Sequence, residues 1–129
     1  MTAFVLALLI GLLALTGLSL DGGLALASKV RAGGQAESAA RAGAQALDLA
    51  AYRVSGVVRL DSVRARDLAQ RYLASVGATG TVQVAGDTVT VEVTATYRTQ
   101  LLSLAGIDAI HTHGRGAAHP QRGVSGIEP

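Results

Sequence analysis

Residues 3–20 read AFVLALLIGLLALTGLSL, eighteen consecutive positions without a charged side chain. As an α-helix this stretch would be about 27 Å long, close to the thickness of a bilayer's hydrocarbon core. Peptide groups cannot remain unbonded in lipid, so a segment that enters a membrane in this way must be helical. The sequence therefore predicts a transmembrane segment over residues 1–20, with nearly all of the remaining chain outside the lipid.

A cleavable signal peptide is the alternative interpretation of this segment. It would need a basic region before the apolar stretch, and none is present, whereas the triplet Ala25-Leu26-Ala27 does resemble a cleavage site. The first basic residues, Lys29 and Arg31, follow the apolar stretch. Counted alone, they would place the larger part of the chain in the cytoplasm by the positive-inside rule.

Charge and composition exclude several classes of function. The net charge is only +2, with basic residues scattered among nine acids and an aromatic content of 3%. Nucleic-acid-binding proteins gather basic residues on one face and often add aromatic side chains, so no nucleic-acid partner is predicted. The chain has no cysteine, which excludes disulfides, thiolate metal sites and a thiol nucleophile.

Residues 21–52 are rich in alanine and lack proline, so the helix is predicted to continue through them. Small residues recur at a spacing of four, which places them on one helix face where another backbone can approach closely. We interpret them as a surface for helix packing and subunit assembly: Ala3, Ala7, Gly11, Ala32, Ala36, Ala40 and Ala44.

The next part of the chain, residues 53–118, predicts a small α+β domain. Asp61 is a suitable N-cap for an amphipathic helix that ends at Gly77, and residues 53–60 before it are predicted to be a loop or short strand. Residues 81–97 alternate apolar and polar side chains about a turn at Gly86, which predicts a β-hairpin. Residues 99–107 are predicted to cross over to a third strand at 108–118, and the tail 119–129 is predicted to be disordered.

Motifs for catalysis are absent: the sequence has no G-x-S-x-G, no phosphate-binding loop and no H-E-x-x-H. No enzyme activity and no cofactor are predicted. His111 and His113 would share one face of a strand and are weak candidates for metal ligands, but a closed site needs further ligands and only Asp108 lies nearby in sequence. Asp21, Lys29 and Arg31 are predicted to lie at the membrane interface, with Asp21 marking the end of the span or pairing with a neighbouring subunit.

Taken together, the apolar start T-A-F-V, the Asp21-Gly22-Gly23 step and the small-residue helix from Gln35 to Ala44 resemble the TadE/TadG-like proteins of tight-adherence (Flp) pilus systems. The resemblance implies a pilin-like fold and a non-enzymatic minor pilin or assembly component. Such a protein would be a single-pass protein of the cytoplasmic membrane with its C-terminal domain extracytoplasmic. Its partners would be the lipid bilayer, other pilus subunits and assembly-platform membrane proteins, joined through the N-terminal helix as a homo- or hetero-oligomer.

Processing by a prepilin peptidase is not predicted, because residues 1–5 contain neither the cleavage motif nor the early Glu of the best-known pilins. An accessory protein that stays in the membrane is therefore the more conservative form of this hypothesis. The alternative from another class is a membrane-tethered extracytoplasmic domain that binds a ligand or a metal. The Thr-rich strand face and the histidines motivate it.

Overall fold

A single long helix organises the fold. The computed structural model describes residues 1–120, and the predicted disordered tail lies mostly outside these residues. Helix α1 runs from Thr2–Ala44 without interruption, about 64 Å at 1.5 Å per residue. Its first half projects from the rest of the chain, and its second half carries a small α+β domain.

The helix ends earlier than predicted, at Ala44 rather than near residue 52. A second N-cap follows at Asp48, where the carboxylate accepts a hydrogen bond from the backbone N–H of Ala51 at 3.1 Å and a new helix begins. This short helix, α2, spans Leu49–Ser55 and covers part of the stretch predicted to be a loop or strand. It ends at Gly56, whose φ of 66° is readily adopted only by glycine.

The amphipathic helix α3 spans Ser62–Ser75 and confirms the prediction closely. Asp61 is its N-cap and accepts from the Arg64 N–H at 3.2 Å. The apolar face buries Ala65, Ala69 and Leu73 against α1 and the sheet.

Replacing Asp61 with Ala is expected to destabilise the domain by about 1 kcal/mol, because the first turn of α3 loses its capping acceptor. Asp67→Ala is a matched control on the same helix. It removes only the exposed ion pair with Arg71, and such pairs contribute roughly 0–1 kcal/mol. Urea unfolding of the full chain in detergent micelles, followed by circular dichroism, measures both. Equal losses in the two variants would contradict the capping role.

Three antiparallel strands form the sheet in the order β1-β2-β3. Strand β1 is Thr79–Ala85, β2 is Thr88–Arg98 and β3 is Ala109–Ala118, so the predicted hairpin and third strand are both confirmed. Between β2 and β3 a short 3-10 helix, η1, spans Leu102–Ala105. One face of the sheet is polar and exposed, and the other packs on α1 and α3.

Close contact between α1 and β3 forms the centre of the domain. The hydroxyls of Ser28 and Thr112 lie 3.4 Å apart, and further along Gly114 lies against Ala32 and Gly116 against Ala36. Every second residue of a strand lies about 6.8 Å further along, and every fourth residue of a helix about 6 Å further along. Alternate residues of β3 can therefore contact every fourth residue of α1 over several positions. The strand therefore runs along the helix in the same direction, with small residues on both sides of the contact.

This packing corrects the assembly surface predicted from the sequence. Ala32, Ala36, Ala40 and Ala44 are buried beneath the domain of the same chain. Their small side chains do permit a close backbone approach, but the backbone that approaches Ala32 and Ala36 is that of β3. These four residues are covered and do not offer a surface to another subunit in this fold.

Candidate membrane interface

The N-terminal half of α1 presents a continuous apolar surface. Helix α1 contains an 18-residue window with a mean hydropathy of 2.5, of which only 6% is buried. A core helix of a soluble protein would be mostly buried, so that interpretation does not fit. By length and composition the helix can cross a membrane, although a signal sequence would meet the same criteria.

Large aliphatic side chains dominate this exposed surface, together with the predicted packing residues Ala3, Ala7 and Gly11, which are also exposed. An apolar surface of this extent is unusual on a soluble monomer and is typical of a lipid or protein contact. Its large members are Phe4, Val5, Leu6, Leu8, Leu9, Ile10, Leu12, Leu13, Leu15, Leu18 and Leu20.

Asp21 lies at the end of this surface, and its position differs from the prediction. The residue has 0% of its surface exposed, so it is neither a solvated marker of the interface nor open to a charge on another subunit. It belongs to the same face of α1 as Gly17, Ala25 and the alanines under β3. The connection between β2 and β3 covers this face.

The carboxylate of Asp21 accepts four hydrogen bonds, three from that connection and one from Tyr97 near the end of β2. Oδ1 accepts from the backbone N–H of Gln100 at 2.9 Å and from the hydroxyl of Tyr97 at 3.2 Å. Oδ2 accepts from the backbone N–H groups of Leu101 at 2.9 Å and Leu102 at 2.7 Å. One side chain thus satisfies three successive, partly buried backbone donors.

These contacts also set the ionisation of the pair. Burial acts to raise the pKa of Asp21, but the hydrogen bonds from Gln100, Leu102, Leu101 and Tyr97 together outweigh it, and the pKa lies below its ordinary value. Burial and the bond to this carboxylate raise the pKa of Tyr97. Asp21 is therefore a carboxylate at neutral pH, and Tyr97 is a neutral donor to it.

The segment that Asp21 binds, residues 99–107, is called the apolar loop below. It reads TQLLSLAGI and carries no charge, whereas Arg98 and Asp108 flank it. It lies beside the N-terminal half of α1: the Leu101 Cβ atom is 3.1 Å from the point where a Cβ on Gly17 would stand. Next to this contact, an apolar cleft of about 410 Å³ lies between the loop and the helix. Its lining residues are Ile10, Leu13, Ala14, Thr16, Gly17, Leu101, Leu102, Leu104 and Ala105.

The apolar loop was not predicted from the sequence to be part of this interface. Two signals pointed to it: an uncharged run rich in leucine between two charged residues, and an acidic residue directly after the apolar helix. Neither signal shows that the two segments meet, since Asp21 and Leu102 are separated by 81 positions. The pairing becomes visible only in the folded chain.

The remaining predicted site residues are dispersed. Lys29 and Arg31 are exposed on α1, at a level beyond Asp21. His111 and His113 are exposed on the polar face of the sheet, where Nδ1 of His111 lies 3.1 Å from the Thr96 hydroxyl. Within residues 1–120 no three His, Cys, Asp or Glu side chains come together as a potential metal site.

Comparisons with known proteins give no further assignment: no protein-family model, no curated protein and no solved structure matches the chain.

Proposed function

We propose that the chain is a membrane-anchored, pilin-like subunit, a minor pilin or assembly component of a tight-adherence (Flp, type IV-like) pilus or a related secretion system. The observation that carries the proposal is the division of α1 into two halves. The first half is apolar and exposed, and the second is buried under an antiparallel sheet. A lipid anchor joined rigidly to an external domain is the arrangement that the resemblance implies for such a subunit.

The surface available for contacts with other subunits is smaller than the sequence suggests. Because the alanines from Ala32 to Ala44 are buried within the same chain, contacts with other subunits would use the free N-terminal half of the helix. There Ala3, Ala7 and Gly11 recur at a spacing of four, which permits close packing between helices in lipid.

Membrane anchoring and assembly can be tested separately. Carbonate extraction of membranes is expected to leave the full-length protein in the pellet, and its release would contradict the anchor. For assembly, the absence of cysteine allows one to be placed at will. Ala7→Cys, labelled with a photoactivatable maleimide, is expected to crosslink to other pilus subunits.

Leu9→Cys is the matched control for this crosslinking experiment. It lies at nearly the same depth and is also exposed, but two residues along a helix correspond to a rotation of about 200°, so it faces the opposite side. Stronger crosslinking from Ala7→Cys than from Leu9→Cys supports the small-residue face as the contact. Equal crosslinking would contradict that face, and deletion of the gene without loss of surface filaments would contradict the pilus assignment.

A further inference from the structure

The apolar loop exposes large aliphatic side chains that the domain core does not use. Leu104 is 88% exposed, Ile107 48% and Leu101 40%. Isolated exposed aliphatic side chains are common, but these three lie within seven residues, and Leu101 and Leu104 adjoin the apolar surface of α1. The loop and the helix therefore form one continuous apolar surface.

The position of the loop along the axis of α1 determines its depth relative to the membrane. Its side chains line a cleft with helix residues from Ile10 to Gly17, which precede Asp21 by up to about 16 Å of helix. If residues 3–20 lie in a bilayer, side chains at this level are at the depth of acyl chains, not of water. The inference therefore rests on the membrane anchor of the proposed function.

Seven of the nine backbone N–H groups of the loop donate hydrogen bonds within the protein, which lowers the cost of placing it in lipid. Irregular backbone is costly in hydrocarbon unless its polar groups are bonded within the protein. Asp21 accepts from three N–H groups of the loop, and carbonyl oxygens of the loop and of Asp108 accept from four others, those of Thr99, Leu104, Gly106 and Ile107. The hydroxyls of Thr99 and Ser103 donate to loop carbonyls in the same way.

From these observations we infer that the apolar loop inserts into the outer leaflet of the bilayer beside the transmembrane helix. Lipid acyl chains are its partner, and Leu101, Leu104 and Ile107 are the side chains that contact them. Asp21 holds the loop at this depth by accepting its backbone N–H groups. Two points of insertion would fix the height and tilt of the domain above the membrane more firmly than the helix would alone.

Tryptophan fluorescence tests the insertion, because the chain has no tryptophan and one introduced residue is a unique reporter. Leu104→Trp is the test variant and Leu13→Trp reports the span. Val63→Trp is a control in the first turn of α3, which packs near the C-terminal end of α1, and the native Val63 side chain is 77% exposed. Each full-length variant is reconstituted in phosphatidylcholine vesicles that contain lipids brominated along their acyl chains. Acrylamide in the buffer serves as the aqueous quencher.

The expected result is that Leu104→Trp shows a blue-shifted emission, loses fluorescence to the brominated lipids to an extent comparable with Leu13→Trp, and resists acrylamide. Val63→Trp should show the reverse. Quenching of Leu13→Trp alone would overturn the inserted loop while leaving the anchor intact. The same result is expected if the loop contacts a helix of a partner protein, which the vesicles do not contain. No lipid quenching in either variant would overturn both the loop and the anchor.

Discussion

Gly114→Ala is expected to separate β3 from α1 and to destabilise the domain by roughly 3 kcal/mol or more, at the upper end of the usual cost of overpacking. A Cβ at this position would overlap the backbone C of Ala32 and N of Gly33, and would lie 2.6 Å from the Ala32 carbonyl oxygen. Those are helix backbone atoms and cannot rotate away. The strand must therefore move outward, with loss of packing along the whole contact.

Gly116→Ala is expected to have a similar effect for the same reason, since its Cβ would overlap the backbone of Glu37 and lie 2.6 Å from the Ala36 carbonyl carbon. Gly34→Ala is the matched control. A Cβ there meets nothing within 4 Å, and the change from glycine to alanine inside a helix should stabilise the protein by about 1 kcal/mol. Urea unfolding in detergent micelles measures all three. A wild-type midpoint for Gly114→Ala would show that helix and strand do not approach this closely.

Asp21→Ala is expected to release the apolar loop from α1. The backbone N–H groups of Gln100, Leu101 and Leu102 lose their acceptor together, and unsatisfied buried donors are among the costly defects in a fold. Hydrogen–deuterium exchange of these three amides should become much faster, whereas amides in the β1–β2 hairpin should keep their protection. Asp67→Ala, an exposed aspartate on α3, serves as the control.

Asp21→Asn separates the charge from the shape of the side chain. The amide retains one acceptor oxygen but directs an NH2 group at donors, so intermediate exchange rates are expected. Wild-type rates at residues 100–102 in the alanine variant would contradict the role of the carboxylate.

The same carboxylate predicts an acid-dependent loss of stability. Because the folded-state pKa of Asp21 lies below its ordinary value, its contribution is complete above the unfolded-state pKa, about 3.9, and is lost as the pH falls through the lower folded value. Wild-type protein should therefore lose more stability in acid than Asp21→Asn does. Parallel pH profiles for the two proteins would argue against this contribution.

Taken by itself, the sequence determined the elements that depend on local pattern. The apolar run at 3–20, the N-cap at Asp61 and the alternation of residues 88–97 each predict their element, because helix periodicity, capping and strand pleating act over a few residues. It also identified the small-residue stripe and the close backbone approach that such a stripe permits. Asp48, a second capping residue, was the local signal that the sequence analysis missed.

Tertiary structure decided which surfaces meet. Small residues allow any backbone to approach, so the sequence could not show that Ala32 and Ala36 contact Gly114 and Gly116 of the same chain instead of another subunit. In the same way, a lone aspartate after an apolar helix suits an interface as well as a buried acceptor. Only the fold, which brings residues about 80 positions apart into contact, makes Asp21 the anchor of the apolar loop.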